Sequence, residues 1–335
     1  MSYASRQTSY LLGSAGSTLQ VLAGWWWDVY SHPLFGKVDP WWNPAYFTLY
    51  TGVGIVIFAV WRGLSVRRGQ TDLINPVRFT NVSGLKLAGV GSAMQITAGV
   101  WNEIVHLLFL TEPRIAPAHV LLTVGMLTVN LGMIVGLAIE YGMIRREIIV
   151  VPKWKLLVTL GCVILVFASI WLTAALALIY VAGVFRGSSL TWIIAVLLST
   201  AGTLVLVPAK RVLPSLGSAI LIGFVFNAVG YFFLVVYSGV PAFLPLGLIP
   251  VALFDLAASS LRCVLKFTHA VLLSSSIIGL LSYATYYPFT FYLFPWSISL
   301  QLSAGAMFIG SIAGALLGHR VYDGLSSIVL GSGVP

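Results

Sequence analysis

Acidic residues are followed closely by histidines at two places in the first 120 residues of the chain. Asp28 precedes His32 by four residues, Glu103 precedes His106 by three, and His119 follows His106 by thirteen. Neutral imidazoles and carboxylates together suit a borderline divalent metal such as copper or zinc, with iron as a further choice. We therefore expect Glu103, His106 and His119 to bind one metal ion, with copper preferred. Asp28 and His32 are then expected to mark a repeat-related metal site.

An internal repeat explains why this pattern occurs twice, because residues 17 to 52 match residues 92 to 125. An offset of 75 residues pairs Ser17 with Ser92, Gln20 with Gln95, Gly24 with Gly99, Trp26 with Trp101 and Asp28 with Glu103. One deletion later His32 meets His106, and after a second deletion Tyr46 meets His119. Both copies run in the same direction, unlike the inverted repeats of many transporters. The sequence thus predicts two helical hairpins that form a parallel repeat.

Each first helix of the repeat is expected to carry a polar stripe. Residues separated by four and eight positions share a helix face, so Gln20 lies below Asp28 and Gln95 lies below Glu103. At 1.5 Å per residue each glutamine is about 12 Å deeper than its acid. An amide can donate to a quinone carbonyl while a nearby histidine or carboxylate accepts a proton. Gln20 and Gln95 are therefore candidate quinone-binding residues.

The composition excludes an ordinary soluble protein. Of 335 residues, 59% are apolar and only 8% are charged, whereas soluble domains have about a quarter of their residues charged. The net charge of +9 is typical of the cytoplasmic excess of Lys and Arg in membrane proteins and does not indicate nucleic acid. The two cysteines, Cys162 and Cys263, are too few for a disulfide framework or a four-thiolate metal site. We expect a chain surrounded by lipid.

Apolar runs of about 20 residues, long enough for helices that cross a bilayer, occur ten times in the sequence. They cover approximately residues 9–30, 45–63, 84–110, 116–141, 156–184, 189–208, 215–237, 243–260, 270–287 and 299–318. The fold class predicted is therefore all-α, a polytopic integral membrane protein with about ten transmembrane helices. We expect residues 1–150 to form the repeated two-hairpin module with its acid and histidine sites. Residues 151–335 are expected to form a six-helix membrane scaffold.

The distribution of basic residues predicts the orientation of these helices. With the N-terminus inside the cell, fifteen of the eighteen Lys and Arg residues fall on the cytoplasmic side, and only Lys37, Arg114 and Arg186 fall outside. Such asymmetry in short loops sets topology. We expect a multi-pass protein of the cell membrane with both termini cytoplasmic. The acid and histidine pairs then lie at the outer ends of their helices.

A carboxylate inside a membrane is costly, about 2.5–3.5 kcal/mol at the bilayer centre and less near the interface. For a single pair the simple alternative is an interfacial acid, with Asp28 paired to Lys37 and the histidines bonded to loop carbonyls. The recurrence of acid and histidine at equivalent positions, with a third donor at His119, favours metal binding over this alternative.

Two histidines thirteen residues apart, His106 and His119, frame a loop that ends at Pro117. Together with the Asp-x3-His spacing of Asp28 and His32, this module resembles the C subunit of membrane-bound copper monooxygenases, which oxidise methane or ammonia. The resemblance covers about residues 17–125. It implies that an Asp and two His bind copper within the membrane.

The module departs from that family in both copies. In the second copy Asn102 stands four residues before His106, where the family has Asp, so the neighbouring Glu103 would have to serve instead. In the first copy Tyr46 stands where the second histidine is needed. A site there would be weaker or assisted by the Tyr46 phenolate.

Three functions remain open on these grounds. The first is a membrane subunit of an outward-facing redox complex, which binds copper and passes electrons to or from quinol or a small apolar substrate, as in a respiratory chain. The second is a membrane anchor of an extracytoplasmic b-type cytochrome, with quinol oxidation or haem ligation and no copper. The third is a transporter coupled to protons or cations.

Partner subunits are expected for the redox functions. The connections between the predicted helices are at most about twenty residues long, which leaves no room for a soluble cofactor domain. Aromatic residues also concentrate near the outer helix ends beyond what one interfacial belt needs, at Trp25 to Trp27, Trp41, Trp42, Tyr46 and Tyr50. We expect another membrane or extracytoplasmic subunit to cover this face.

Overall fold

A computed structural model of the chain describes residues 2–28, 43–65, 77–109, 116–145, 151–185, 192–238, 244–266, 269–276, 278 and 300–330. Within these ranges the regular structure is helical, and they contain no strand. The all-α prediction is confirmed to this extent.

The helices follow one another along the chain with short interruptions. Their bounds are α1 Ser2–Thr18, a π-helical segment Leu19–Trp25 that continues α1, α2 Pro44–Ser65, α3 Val77–Phe109, α4 Pro117–Arg145, α5 Lys153–Phe185, α6 Trp192–Val212, α7 Ser218–Ser238, α8 Leu244–Leu261 and α9 Leu300–Leu330. Residues 269–276 are also helical. Proline opens both α2 and α4, where the missing N–H would have no partner within the helix anyway.

Five of the helices in the described part of the chain are long and apolar enough to cross a membrane. These segments are Pro44–Ser65, Pro117–Arg145, Lys153–Leu178, Ala195–Val212 and Ala304–Gly324. Two shorter apolar helices, Ser218–Phe232 and Leu248–Leu261, accompany them. So many long apolar helices in one chain suggest a membrane protein.

The chain divides into two compact units. Unit 1 comprises Met1–Thr173 with Leu325–Pro335, and unit 2 comprises Ala174–Gly324. The boundary between these ranges falls within α5, and the division at residue 150 expected from the sequence stays a prediction.

Unit 1 contains a closed ring of four helices. α1 packs against α2 and α4, and α3 likewise packs against α2 and α4. The hairpin of α1 and α2 therefore lies beside the hairpin of α3 and α4. α4 is the most enclosed of the candidate spans, with apolar, glycine and polar residues buried along its length.

Matching glycine contacts close the two hairpins. A Cβ atom on Gly52 would lie 2.7 Å from the carbonyl oxygen of Gly16 and 2.8 Å from the backbone nitrogen of Gln20. A Cβ atom on Gly125 would lie 2.9 Å from the carbonyl oxygen of Gly91 and 3.2 Å from the backbone nitrogen of Gln95. Since Gly16 and Gly91 are 75 residues apart, the repeat seen in the sequence recurs in the helix contacts. Small residues permit this close approach of helices.

Unit 2 uses the same kind of packing between α6 and α9. Gly310 and Gly314 face Ser199 and Thr203, and a Cβ atom on either glycine would overlap these side chains. The Thr200 hydroxyl donates a hydrogen bond to the Gly310 carbonyl at 3.0 Å. The glycines spaced by four residues thus serve helix packing.

A buried ion pair also holds unit 2 together. Lys210 of α6 and Asp255 of α8 are in contact, and both side chains are fully buried. Lys210 also donates to the Ser215 carbonyl and the Ser259 hydroxyl, each at 2.9 Å. The second Asp255 oxygen accepts from the backbone N–H groups of residues 219 and 220 at the start of α7. A buried pair with its hydrogen bonds satisfied in this way is costly to break by removing one partner.

The glycine contact of the first hairpin gives a direct test of the packing. Gly52→Ala should destabilise the protein by about 1–3 kcal/mol, because the added methyl group meets backbone that cannot move aside. Gly54→Ala is the matched control, since a Cβ atom there meets nothing within 4 Å and alanine favours the helix. Denaturant unfolding in detergent measures both variants. Equal stability of the two would contradict this packing.

Candidate functional site

A small cleft lies at the junction of the two hairpins of unit 1. Each of the four helices contributes to its lining, which consists of Trp25, Asp28, Tyr46, Leu49, Tyr50, Ala98, Gly99, Asn102, Ala118, His119 and Leu122. Its volume of about 20 Å³ is enough for one water molecule or one ion. The cleft thus draws on both copies of the repeat.

The cleft brings together an acid of the first copy and a histidine of the second. Asp28 is buried, with 2% of its surface exposed, and His119 is half-buried. The ring of Trp25 stands edge-on to the His119 imidazole, with 6.1 Å between the ring centres. Asp28 and His119 lie about 90 residues apart in the sequence, so only the packing of the hairpins makes them neighbours.

Tyr46 and His119 occupy equivalent positions at the starts of α2 and α4. Each residue lies two positions after the proline that opens its helix, so both occupy the first turn. The Asn43 side chain caps α2 by accepting a hydrogen bond from the N–H of Ala45 at 3.0 Å, as is common at helix N-termini. The predicted equivalence of Tyr46 and His119 therefore has a structural basis, and both line the cleft.

The π-helical segment Leu19–Trp25 changes the register of the first copy. A π turn holds one residue more than an α turn, and α3 of the second copy has no such segment. Beyond the segment, Asp28 therefore matches Asn102, at an offset of 74, rather than Glu103. The same offset relates His32 to His106. The π segment is thus where the first deletion in the repeat is accommodated.

The residues that line the cleft and the exposure of Glu103 both agree with this register. Asn102 lines the cleft together with Asp28, and its buried Oδ1 atom has no hydrogen-bond partner among the described residues. Glu103 is exposed and does not line the cleft. The repeat pairing of Asp28 with Glu103, read from the constant offset, does not allow for the extra residue of the π turn.

The predicted metal ligands are only partly described. His32 lies outside the described residues, and so does the side chain of His106, whose backbone lies one turn beyond Asn102 in α3. Within the described ranges, no group of three His, Cys, Asp or Glu residues could hold a metal ion. The sets of Glu103, His106 and His119 and of Asp28 and His32 stay predictions.

The two candidate quinone-binding residues are fully buried. Gln20 packs against Gly52 and Gln95 against Gly125, and neither glutamine exposes any surface. The amide oxygen and nitrogen of both have no hydrogen-bond partner within the described part of the chain. Because each glutamine packs against the equivalent glycine of its own hairpin, these contacts support the repeat. A quinone head group would have to displace hairpin packing to reach either amide.

The donor atoms around the cleft suit a cation. A carboxylate, an amide oxygen, a phenol and an imidazole are hard or borderline ligands, which divalent metals accept. Asn102 Oδ1, which has no hydrogen-bond partner among the described residues, lines the same cleft as Asp28 and would be satisfied by a cation bound there. The sequence did not identify Asn102, Trp25 or Tyr50 as cleft residues, although the deletion between the copies indicated a shift of register.

Comparisons with known protein families, with curated proteins and with solved structures find no match to this chain. The resemblance to the C subunit of copper monooxygenases therefore remains an expectation from the sequence.

Deleting Ala23 from the π segment tests the register of Asp28. The shortened segment should become α-helical like α3, which places Asn102 in the cleft without an extra residue, so Asp28 should stay in the cleft. In a background with Cys162→Ser and Cys263→Ser, maleimide labelling of Asp28→Cys should therefore be as slow in the deletion as in the control Ala23→Gly, which keeps the residue count. Labelling that is several-fold faster in the deletion, as expected if Asp28 rotates by about 100° around the helix axis, would contradict this register.

Proposed function

We propose that the chain is a multi-span membrane subunit of an outward-facing redox complex and that the cleft at Asp28 and His119 is its metal site. Copper is the metal of first choice, on the donor types and on the resemblance of the hairpin module. The observation that carries the proposal is the cleft itself, in which an acid of the first copy and a histidine of the second share one small volume.

Support for the membrane assignment comes from the helices and the charges. Five helices in the described ranges are long and apolar enough to span, and the sequence contains ten apolar runs of similar length. The excess of basic residues on one side favours cytoplasmic termini. In this orientation the cleft lies at the outer ends of α2, α3 and α4, where a redox partner outside the cell can reach it.

Support for metal binding comes from the donor atoms of the cleft. A carboxylate attracts a nearby cation, and Asn102 Oδ1 is buried without a hydrogen-bond partner among the described residues. A divalent ion in the cleft would bind the Asp28 carboxylate and would also satisfy Asn102 Oδ1. His119 would supply the nitrogen ligand, with His106 and His32 as further predicted ligands. Glu103 belongs to the alternative set of Glu103, His106 and His119 that the sequence predicts. Bound copper would provide one-electron chemistry at this position.

The protein groups around the cleft have separable tasks in this proposal. Asp28 holds the negative charge, and Trp25 restricts the orientation of the His119 ring by packing edge-on to it. Tyr46 brings a phenol that can donate or accept a proton at the same site. The low volume of the cleft admits an ion and excludes bulk water. Quinol and partner subunits complete the electron path in this scheme.

Metal analysis of purified protein tests the proposal. His119→Ala and Asp28→Asn should each lose most of the bound copper, because removing one ligand of a small site strongly weakens it. His319→Ala, a change in unit 2, should keep the full metal content. Glu103→Gln distinguishes the two ligand sets, since it should keep its metal if the cleft set is correct.

Two results would contradict the proposal. One is unchanged metal in both His119→Ala and Asp28→Asn, and the other is absence of metal from the unaltered protein after metal-replete purification. An optical spectrum with a Soret band and no copper would instead favour the anchor of a b-type cytochrome.

A further inference from the structure

α1 buries a stripe of polar side chains at the end of unit 1 far from the cleft. Gln7, Tyr10, Ser14 and Ser17 are all at most 3% exposed, and their spacing of three, four and three residues puts them on one helix face. Gln20 continues the stripe upward and is also fully buried. Such a run of buried polar groups is unusual in a helix that packs among apolar neighbours.

The second copy of the repeat lacks the lower half of this stripe. At the offset of 75, Gln7, Tyr10 and Ser14 correspond to Val82, Leu85 and Gly89, whereas the upper Ser and Gln are kept. Leu85 is fully buried, so the second hairpin packs at this depth with apolar groups. Hairpin packing therefore does not require the lower polar residues of α1, and they need another explanation.

An acid of α4 faces this lower half. Glu140 is fully buried, one helical turn beyond Gly136. The Tyr10 ring lies so close to Gly136 that a Cβ atom there would overlap it. Glu140 and Arg6 both act electrostatically on Tyr10. The stripe and the acid thus form one polar cluster.

A third helix joins the same cluster. The thiol of Cys162 on α5 forms a hydrogen bond with the Ser14 hydroxyl and also lies in the electrostatic field of Glu140. The titratable and charged groups shown to act in the cluster are therefore Arg6 and Tyr10 from α1, Glu140 from α4 and Cys162 from α5.

Several polar atoms along the stripe lack a protein partner. Arg6 Nε, Gln7 Nε2 and both amide atoms of Gln20 are buried without a hydrogen-bond partner in the described ranges. Buried polar groups of this kind are commonly satisfied by internal water. Water bound from Gln7 to Gln20 would connect the stripe into a path for protons.

The two ends of the stripe have different surroundings. Glu140 lies five residues before the end of α4 at Arg145, which is exposed, or about 7.5 Å along the helix axis. At the upper end, Gly24 packs directly on Leu49, whose backbone nitrogen would be 2.8 Å from a Cβ atom on Gly24. This close contact lies between Gln20 and the cleft residue Asp28 along the chain.

We propose that Glu140 is a reversible proton-binding site at the lower end of the polar stripe of α1, reached from the Arg145 end of unit 1 and separated from the cleft by the contact of Gly24 with Leu49. One proton adds to a carboxylate oxygen of Glu140 and leaves by the same route, and no electron moves. Burial favours the uncharged acid, whereas the positive charge of Arg6, which acts on the same Tyr10 as Glu140, would favour the carboxylate. The site does not depend on metal binding at the cleft.

Infrared titration of the protein in lipid vesicles tests this site. The C=O stretching band of a protonated carboxyl group should appear as the pH falls and should be lost in Glu140→Gln. Asp323→Asn, which changes a half-exposed acid of unit 2, is the control and should keep the band. Tyr10→Phe should shift the band without removing it. Changing the pH on one side at a time should show that the band follows the Arg145 side.

Three outcomes would overturn the proposal. A carboxylate of Glu140 that stays ionised over the whole titration would make it a fixed partner of Arg6. A band that survives in Glu140→Gln would show that another group titrates. A band that follows the pH on the side of the cleft would show that protons reach the site from the wrong end. Should Glu140→Gln fail to assemble, isotope-labelled glutamate in the unaltered chain must shift the titrating band. Metal content measured in the same samples separates failure of this site from failure of the metal site.

Discussion

The direct backbone contact of Gly16 with Gly52, repeated by Gly91 with Gly125, is the interaction on which the architecture of unit 1 depends. It draws the two helices of each hairpin together until side chains have no room between them. Because both hairpins close in the same way, they can pack beside each other as equivalent parts of one ring. The ring then determines which helix ends meet, and with them the position of the cleft.

The cleft is asymmetric although its scaffold is repeated. The first copy contributes Asp28 and Tyr46, and the second contributes Asn102 and His119. The extra residue of the π segment aligns Asp28 with Asn102, so charge, amide and imidazole converge on one small volume. A repeat that has diverged in this way supports one composite site better than two equal sites. The lower half of the polar stripe of α1 is likewise present in only one copy.

Sequence patterns predicted much of this arrangement because they depend on local rules. Apolar run length predicted helices, and the repeat predicted that Tyr46 and His119 are equivalent. The register beyond residue 25 was not predictable, because face assignments assume an uninterrupted α-helix and π turns leave no clear sequence signal. The cluster at Glu140 was also missed, since it is formed by three helices through contacts distant in sequence. Gln20 and Gln95 were identified as inward-facing, but their full burial depends on the glycine contacts.

Cross-linking between the two copies tests the central claim that Asp28 and His119 share the cleft. In a cysteine-free background made with Cys162→Ser and Cys263→Ser, the pair Asp28→Cys and His119→Cys should be joined rapidly by a short thiol-reactive cross-linker in native membranes. The pair Glu103→Cys and His119→Cys is the comparison, because Glu103 is exposed and outside the cleft. We expect faster cross-linking of the first pair. Faster cross-linking of the second pair would show that Glu103, and not Asp28, faces His119.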